Sequence, residues 1–564
     1  MVRRGALAMT TMRYPLTLSP MLQRAEQFFP QREIVSRTTT GTVRYTYQEY
    51  GRRVRKLASA LVDLGVRKGD RIATLAWKHH RHLEAYFAIP CMGAVLHTLN
   101  LRLPPQHLAH VINHAGDRII IVDEDLVPLL EGLGPELHTV ERVIVITDND
   151  APPRARLPQP ASYEALLAGA EPMRQWPTLD EWDPAEMCFS SATTDMPKGV
   201  VYTHRALWLH GMACCLADTV AISHRDSMLI IVPLFHANGW GLVHASVWMG
   251  AKIVLPGPRP DPRVYCELMR DEQVTYATGV PTIWMGVLGH LDKERYDFPC
   301  LDRVVCGGAA PPTALIEAAE KRLGARFIHG YGMTEAAPLT HLSVLKTHMA
   351  SWSEPKQYEI KAKQGILVPG LEWRVVGPDG IDVAADGQKM GEVWLRGPWI
   401  ADEYYRDARS AETFRDGWYR TGDIGTVDAD GYLKIVDRVK DVIKSGGEWI
   451  SSVDLENAIM AHPAVAEAVV VGVRHPKWQE RPLACVVVKP GQTVSKAEVI
   501  QHLAGKFVSW WLPDDVVFID EVPKTSVGKF DKKVLREKYA DHLIRSEHPN
   551  GTGDITVNTR ARRM

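Results

Sequence analysis

Ser190-Ser191-Ala192-Thr193-Thr194-Asp195-Met196-Pro197-Lys198-Gly199 lies between two apolar runs. Met187-Cys188-Phe189 before it can end a strand, and Val200-Val201-Tyr202-Thr203-His204-Arg205 after it resumes order. Four hydroxyls and one lysine fall within these ten residues. Short hydroxyls and backbone N–H groups can ring phosphate oxygens while an ammonium neutralises their charge. The spacing is not that of the Walker loop, which needs Gly-Lys-Ser/Thr opening a helix. Read alone, the stretch is equally a Ser/Thr-rich surface loop.

Four later segments decide between these readings. They are Tyr331-Gly332-Met333-Thr334-Glu335, Tyr419-Arg420-Thr421-Gly422-Asp423, Asp437-Arg438-Val439-Lys440-Asp441 and Pro523-Lys524-Thr525-Ser526-Val527-Gly528-Lys529. Their order and spacing resemble the adenylate-forming superfamily: acyl- and aryl-CoA synthetases, peptide-synthetase adenylation domains and beetle luciferases. The resemblance runs from about Tyr14 to about Tyr539 and is nearest to medium- and long-chain fatty acyl-CoA synthetases. One departure stands at its centre. The family loop usually reads Ser-Gly-Thr-Thr-Gly, and here Ala192 and Asp195 replace both glycines.

Composition bounds the rest. At 564 residues more than one domain is expected. The formal net charge is −1, so nothing suggests a nucleic-acid partner. The basic tail Arg560, Arg562, Arg563 reads as a solvated terminus. Eight cysteines occur without metal spacing, which suits free thiols in a reducing compartment. No apolar run reaches the length of a membrane span, and the start is too short for a signal-peptide core. The location expected is cytoplasmic, with no nucleic acid and no membrane span.

Outward from the loop, strand and helix signals alternate, which indicates an α/β core with largely parallel sheets. Tyr45 to Tyr50 resembles the Thr-Tyr-x-Glu turn that opens a helix in the family, and Arg52 to Leu64 then carries apolar residues at helical spacing up to a stop at Gly65. Asp70 to Leu75 reads as a strand, His80 to Ile89 as a helix and Gly93 to Leu96 as the next strand. His79, His80 and His82 read as a solvated helix start rather than a metal site. Asp148 to Trp176, rich in Pro and Ala, reads as a surface excursion. Beyond Asp437-Arg438-Val439-Lys440-Asp441 come a helix from Val453 to His462, strands from Val465 to Val473 and Ala484 to Val488, and a helix from Lys496 to Lys506.

The resemblance implies a fold and a set of roles. The fold is α/β, with a large N-terminal domain (two α/β subdomains plus a β-rich subdomain) and a small mobile α+β C-terminal domain. Residues 1–13 are then a flexible start, 14–436 the ATP- and acid-binding domain, 437–441 the hinge, 442–545 the mobile domain and 546–564 a disordered tail. Ser190, Ser191, Thr193, Thr194 and Lys198 hold ATP phosphates. Gly308, Ala309, Gly330 and Tyr331 receive adenine, while Asp423 and Arg438 hold ribose. Thr334 and Glu335 serve the α-phosphate and Mg²⁺, for which one carboxylate plus phosphate oxygens is enough. His236 lies beside the carboxylate being activated, and Trp240 gates an acyl pocket formed with Val280 and Gly307. The alternative for Trp240 is a core tryptophan. Lys529 bridges the carboxylate and the α-phosphate in the first half-reaction. Lys444, Ser445, Gly446, Gly447 and Glu448 face the site in the second, after rotation about Asp437.

The activity implied is ATP-dependent acyl-CoA synthesis through acyl-AMP, with ATP, CoA and a fatty acid as substrates, Mg²⁺ as cofactor and a homodimer as the family's frequent assembly. Positioning and charge neutralisation suffice for such chemistry, so no covalent nucleophile is needed. Three alternatives stay open. One is an amino-acid adenylation domain, although His236-Ala237-Asn238-Gly239-Trp240 offers no Asp for an α-amine. Another is a CoA ligase for a short or functionalised acid such as a thioether propionate. The third is a weakened or binding-only homologue, which the altered phosphate loop favours.

Overall fold

The computed structural model describes residues 11–148, 154–190, 196–446, 448–524 and 530–547. Ser191, Ala192, Thr193, Thr194, Asp195, Gly447 and Lys529 therefore lie outside the described residues, as does the tail from 548, and of Glu448 only the backbone is described. The chain divides into two compact units. One is Met1–Thr421 with Thr426–Lys434, and the other is Gly422–Gly425 with Ile435–Met564.

Two large sheets organise the first unit. The seven-stranded sheet runs, edge to edge, Ala161–Ser162, Arg142–Ile146, Asp117–Asp123, Arg71–Leu75, Val95–Thr98, Pro184–Phe189, Gly199–Thr203. Every pairing in it is parallel except the last, where Pro184–Phe189 and Gly199–Thr203 form an antiparallel pair around the hydroxyl-rich loop. The nine-stranded sheet has a parallel centre of Glu33–Arg37, Lys252–Leu255, Ser227–Ile230, Tyr276–Gly279, Arg303–Cys306 and Arg326–Gly332. The connections leaving Ser227–Ile230, Tyr276–Gly279, Arg303–Cys306 and Arg326–Gly332 all start at the carboxyl edge of that centre. Ligand sites of open α/β sheets form at this edge. It carries the segments singled out around Trp240, Val280, Gly307 and Tyr331.

Local signals explain several boundaries. Helix Tyr47–Asp63 begins at a capping box: the Thr46 hydroxyl accepts the Glu49 N–H at 3.3 Å, and Glu49 accepts the Thr46 N–H at 2.9 Å. It starts earlier than the apolar spacing from Arg52 alone implies.

The three histidines correct the sequence reading. His79, His80 and His82 are buried, not solvated. His79 caps the helix His80–Cys91 and meets the Asp123 carboxylate at 2.8 Å. His82 shares a hydrogen bond with the Thr74 hydroxyl at 2.9 Å, and burial pushes its pKa down to about 4. The carboxylate comes from a neighbouring strand, so helix spacing could not reveal it. The segment after Asp148 is corrected too. It contributes an edge strand and the helix Tyr163–Gly169, and the fully buried Tyr163 donates to Glu84 at 2.6 Å.

In the second unit a sheet runs Glu448–Ile450, Ile443–Ser445, Gln479–Val488, Val465–His475, with Asp515–Phe518 parallel to Gln479–Val488. Helices Ser452–Met460, Lys496–Leu503, Lys532–Lys538 and His542–Glu547 pack with it. Strand Gln479–Val488 starts well before Ala484, because its first residues, Gln479 to Pro482, carry no apolar alternation. All eight cysteines are unpaired thiols. Among the described residues no helix is long and apolar enough to cross a membrane.

Candidate active site

The stem of the hydroxyl-rich loop is closed by its own ends. The Ser190 N–H donates to the Lys198 carbonyl at 2.8 Å, and the Lys198 N–H donates to the Ser190 hydroxyl at 3.1 Å. Gly199 is needed there, since a Cβ would stand 2.9 Å from the Phe189 ring. A later segment braces the stem. The Tyr405 N–H donates to the Gly199 carbonyl at 2.8 Å, and the Arg409 guanidinium donates to the Met196 carbonyl at 3.3 Å. The Lys198 ammonium lies 4.4 Å from the centroid of the Tyr404 ring, within cation–π range. Arg409 also holds the Asp407 carboxyl down at about 2.

Tyr404 links this stem to Glu335. Its hydroxyl donates to the Glu335 carboxylate at 2.7 Å. Burial, with Glu335 beside it, keeps the phenol protonated far above its usual range. The Tyr202 hydroxyl donates to the Thr334 carbonyl at 2.6 Å, and the Ala401 N–H to the Glu335 carbonyl at 2.8 Å. Thr334 and Glu335 are both buried, and their backbone is tied on two sides. One oriented carboxylate beside a threonine hydroxyl fits Mg²⁺ that takes its other ligands from phosphate and water. Gly332 allows the approach, because a Cβ would sit 2.3 Å from the Pro338 carbonyl oxygen. The half-buried Tyr331 ring faces His341 at 5.8 Å.

The Trp240 segment has an unusual backbone. Ala237, Asn238, Gly239, Trp240 and Gly241 have φ of 42°, 48°, 62°, 60° and 66°. This is one turn of left-handed helix, a conformation that costs about 1–2 kcal/mol for each non-glycine residue. Gly241 fits against His210, where a Cβ would fall 2.4 Å from the ring. The turn lays the Trp240 indole over Gly307, whose Cβ would meet the ring at 3.0 Å and the Gly330 carbonyl at 3.1 Å. Gly308, with φ +80°, is exposed beside Val280, and Ala309 is exposed after it. His236 is half-buried at the start of the turn, its N–H donating to the Pro233 carbonyl at 3.2 Å.

The second unit presents its own set. Asp423, largely buried, pairs with Arg438 at 3.2 Å. The Asp437 carboxylate accepts the Ser452 N–H at 2.9 Å and the Ser452 hydroxyl at 2.5 Å. Lys532 donates to the same Ser452 hydroxyl at 2.6 Å and pairs with the buried Glu456 at 2.8 Å. Lys444 is exposed, whereas Ser445 is turned inward and accepts from Arg481 at 3.2 Å. Gly446 has φ +61°, and a Cβ there would press on Trp478 and Trp510 at 3.1 and 3.2 Å. Those two indoles pack edge to face, 4.7 Å apart.

The first unit thus brings Ser190, Lys198, Thr334 and Glu335 into one bonded group, and Trp240, Gly307, Gly330, Gly308 and Val280 into another. The second unit joins Asp423 to Arg438. Tyr202, Tyr404 and Arg409 escaped the sequence reading. The only signal for Tyr404 was a Tyr-Tyr pair in a polar loop.

Comparison with known proteins shows the family. Residues 22–405 match the AMP-binding enzyme family, and residues 454–529 match the AMP-binding enzyme C-terminal domain. A long-chain-fatty-acid–CoA ligase of Thermus thermophilus is 47% identical over 96% of this chain and 98% of its own. A 3-methylmercaptopropionyl-CoA ligase of Ruegeria pomeroyi is 40% identical over 94% and 98%. The crystal structure of the anthranilate CoA ligase AuaEII in complex with anthranoyl-AMP shares the fold, with a TM-score of 0.82 at 24% identity, covering 94% of this chain and 99% of that one. The two family matches, and the likeness to the Thermus ligase across most of the chain, make it a member of the AMP-binding, adenylate-forming enzymes.

Proposed function

We propose that this chain is an AMP-forming CoA ligase whose acid substrate is a medium- or long-chain fatty acid. In the first half-reaction a carboxylate oxygen of the acid attacks the α-phosphorus of ATP. The bond to the β-phosphate bridging oxygen breaks, and pyrophosphate leaves. In the second, the CoA sulfur attacks the acyl carbon of acyl-AMP, AMP leaves with the bonding pair, and the thiol proton passes to solvent. Neither step needs a protein nucleophile, and charge neutralisation carries the barrier reduction.

The residues divide accordingly. Ser190, Ser191, Thr193, Thr194 and Lys198 hold the phosphates. Glu335, oriented by Tyr404, would hold Mg²⁺, which when bound neutralises phosphate charge. Asp423 and Arg438 hold the ribose, Tyr331 stacks on adenine, and Lys529 bridges the carboxylate and the α-phosphate. Lys444, Gly446, Gly447 and Glu448 serve the CoA step after rotation about Asp437. Ser445, bonded to Arg481, supports that loop from beneath.

The observation that carries the substrate reading is Trp240. A wide apolar ring rests on the bare backbone of Gly307, so its departure would open a slot beside that glycine. The identity to the long-chain ligase supports an apolar acid. The identity to the 3-methylmercaptopropionyl-CoA ligase favours a second reading, a short thioether acid. ATP–pyrophosphate exchange with acids of four to sixteen carbons and 3-(methylthio)propionate separates the two, followed by CoA-dependent AMP release. Each buried CH₂ should contribute about 0.8 kcal/mol, so kcat/KM should climb with chain length to a maximum. A maximum at the thioether acid selects the second reading, and exchange with no acid at all refutes both.

A further inference from the structure

We infer that Glu186 is a positioning residue for the acid site: it holds the left-handed turn that carries Trp240. The inference rests on the reading of Trp240 as an acid gate.

The turn is strained in two places. Gly239 and Gly241 adopt positive φ freely and asparagine tolerates it, but Ala237 and Trp240 do not. Such backbone persists only where its surroundings over-determine it. The determinant is the Asn238 side chain, which is buried with both ends of its amide used. Its NH₂ donates to Glu186 Oε2 at 2.5 Å, and its carbonyl accepts from the Thr98 hydroxyl at 2.8 Å. A carboxylate only accepts and this hydroxyl donates, so the amide has one orientation that satisfies both partners.

Glu186 also braces the helix after the turn. Its other oxygen lies 2.9 Å from His244 Nε2, on helix Leu242–Met249, although off the hydrogen-bond line. Asn238 therefore supplies the aligned bond and His244 a close polar contact. Glu186, Asn238 and His244 are all essentially inaccessible to solvent. Solvent does not reach these groups in the folded protein.

The anchor is rigid. Glu186 lies within strand Pro184–Phe189, in register with Leu96 on one side and Tyr202 on the other. The same strand leads into the phosphate loop at Ser190, and Tyr202 is the residue that ties Thr334. The gate and the phosphate loop thus hang from one strand. If the Asn238–Glu186 bond is lost, Ala237, Asn238 and Trp240 are free to leave the left-handed region. The indole then leaves Gly307.

The test compares Glu186→Ala, Glu186→Gln and Asn238→Gly in the full-length enzyme, reading KM for acid and for ATP separately, and kcat across acid chain lengths. Glu186→Ala should raise the acid KM about tenfold and flatten the chain-length profile, with the ATP KM within about twofold. Glu186→Gln keeps an acceptor for Asn238 and should restore the acid KM towards the native value. Asn238→Gly leaves a residue that adopts positive φ freely yet removes the tether, so it should fold and reproduce the acid-side effect. It decides the matter alone if Glu186→Ala does not fold. Combining Asn238→Gly with Trp240→Ala should add nothing to Trp240→Ala, because both act through one side chain. An unchanged acid KM and profile in Asn238→Gly, with Trp240→Ala altering them, overturns the role of Glu186. A profile unchanged in Trp240→Ala refutes the gate itself.

Discussion

The Tyr404 hydroxyl donates to the Glu335 carboxylate at 2.7 Å, while the Lys198 ammonium sits 4.4 Å from the centroid of the same ring. One phenol therefore orients the carboxylate assigned to Mg²⁺ and carries the lysine assigned to phosphate. Tyr404→Phe keeps the ring beneath Lys198 and removes only the hydrogen bond. Bonds to charged groups contribute about 1.5–3 kcal/mol, so kcat/KM for ATP should fall by about tenfold to a hundredfold if the orientation is fully used. The Mg²⁺ concentration for half-maximal rate should rise, and the acid KM should stay nearly constant. A kinetic titration of Mg²⁺ at fixed ATP checks this; unaltered Mg²⁺ dependence means Tyr404 only packs.

Gly307 supports Trp240 without a side chain. Gly307→Ala would put a methyl carbon 3.0 Å from the indole and 3.1 Å from the Gly330 carbonyl oxygen. The ring is the element able to move, so the substitution should displace the gate. The acid KM should rise several-fold, most for the longest acids, with a smaller change for ATP. In a Trp240→Ala background much of that increment should vanish. Equal increments in both backgrounds would assign the effect to Gly330 and the adenine side.

Glu456 makes the second unit pH-sensitive. It is fully buried, and burial raises its pKa from the usual 4.5 to about 7, against the pull of Lys532. The folded state then keeps its proton across a window where the unfolded chain has released it. The stability contributed by this group is complete below about pH 4.5 and is lost as pH rises through about 7, for a total of about 3 kcal/mol. Asp437, also raised by burial, acts with the same sign. Glu456→Gln should flatten the stability of helix Ser452–Met460 between pH 5 and 7, as read by hydrogen exchange of its amides. A slope as steep as that of the native protein would place the titration elsewhere.

Where the sequence was informative, the determinants were local. The helix opening between Tyr45 and Tyr50, the strand end at Met187-Cys188-Phe189 and the return of order at Val200 are short-range features, and their elements form near the places they indicate. What the sequence concealed depends on distant partners. The left-handed turn needs Glu186 for Asn238, 52 residues away, and Tyr404 finds Glu335 across 69. His79 is buried because Asp123, 44 residues on, lies in an adjoining strand. No periodicity encodes such pairings; only the sheet order does.

Asp195 stands where adenylate-forming enzymes usually carry glycine, in the loop whose stem Ser190 and Lys198 close. A glycine there reaches positive φ freely and lets backbone N–H groups approach the β- and γ-phosphates. Aspartate tolerates the left-handed region better than most residues, so the backbone is the lesser problem. Its charge is the greater one. At about 5 Å from a phosphate oxygen, a like charge costs about 3 kcal/mol at an effective dielectric near 20, before Mg²⁺ and salt screen it. Glu335, already oriented by Tyr404, is the carboxylate proposed for the metal, so a second one at Asp195 is not required. The charge at Asp195 is then expected to weaken ATP binding modestly. Asp195→Gly should lower the ATP KM by about threefold to tenfold, with the larger gain at low ionic strength, where screening is least. The acid KM should not change. Initial rates over a grid of ATP, Mg²⁺ and salt concentrations decide the question. Weaker ATP binding in the variant, or a new need for high Mg²⁺, would instead make Asp195 a water-mediated ligand of the metal and an active part of this altered loop.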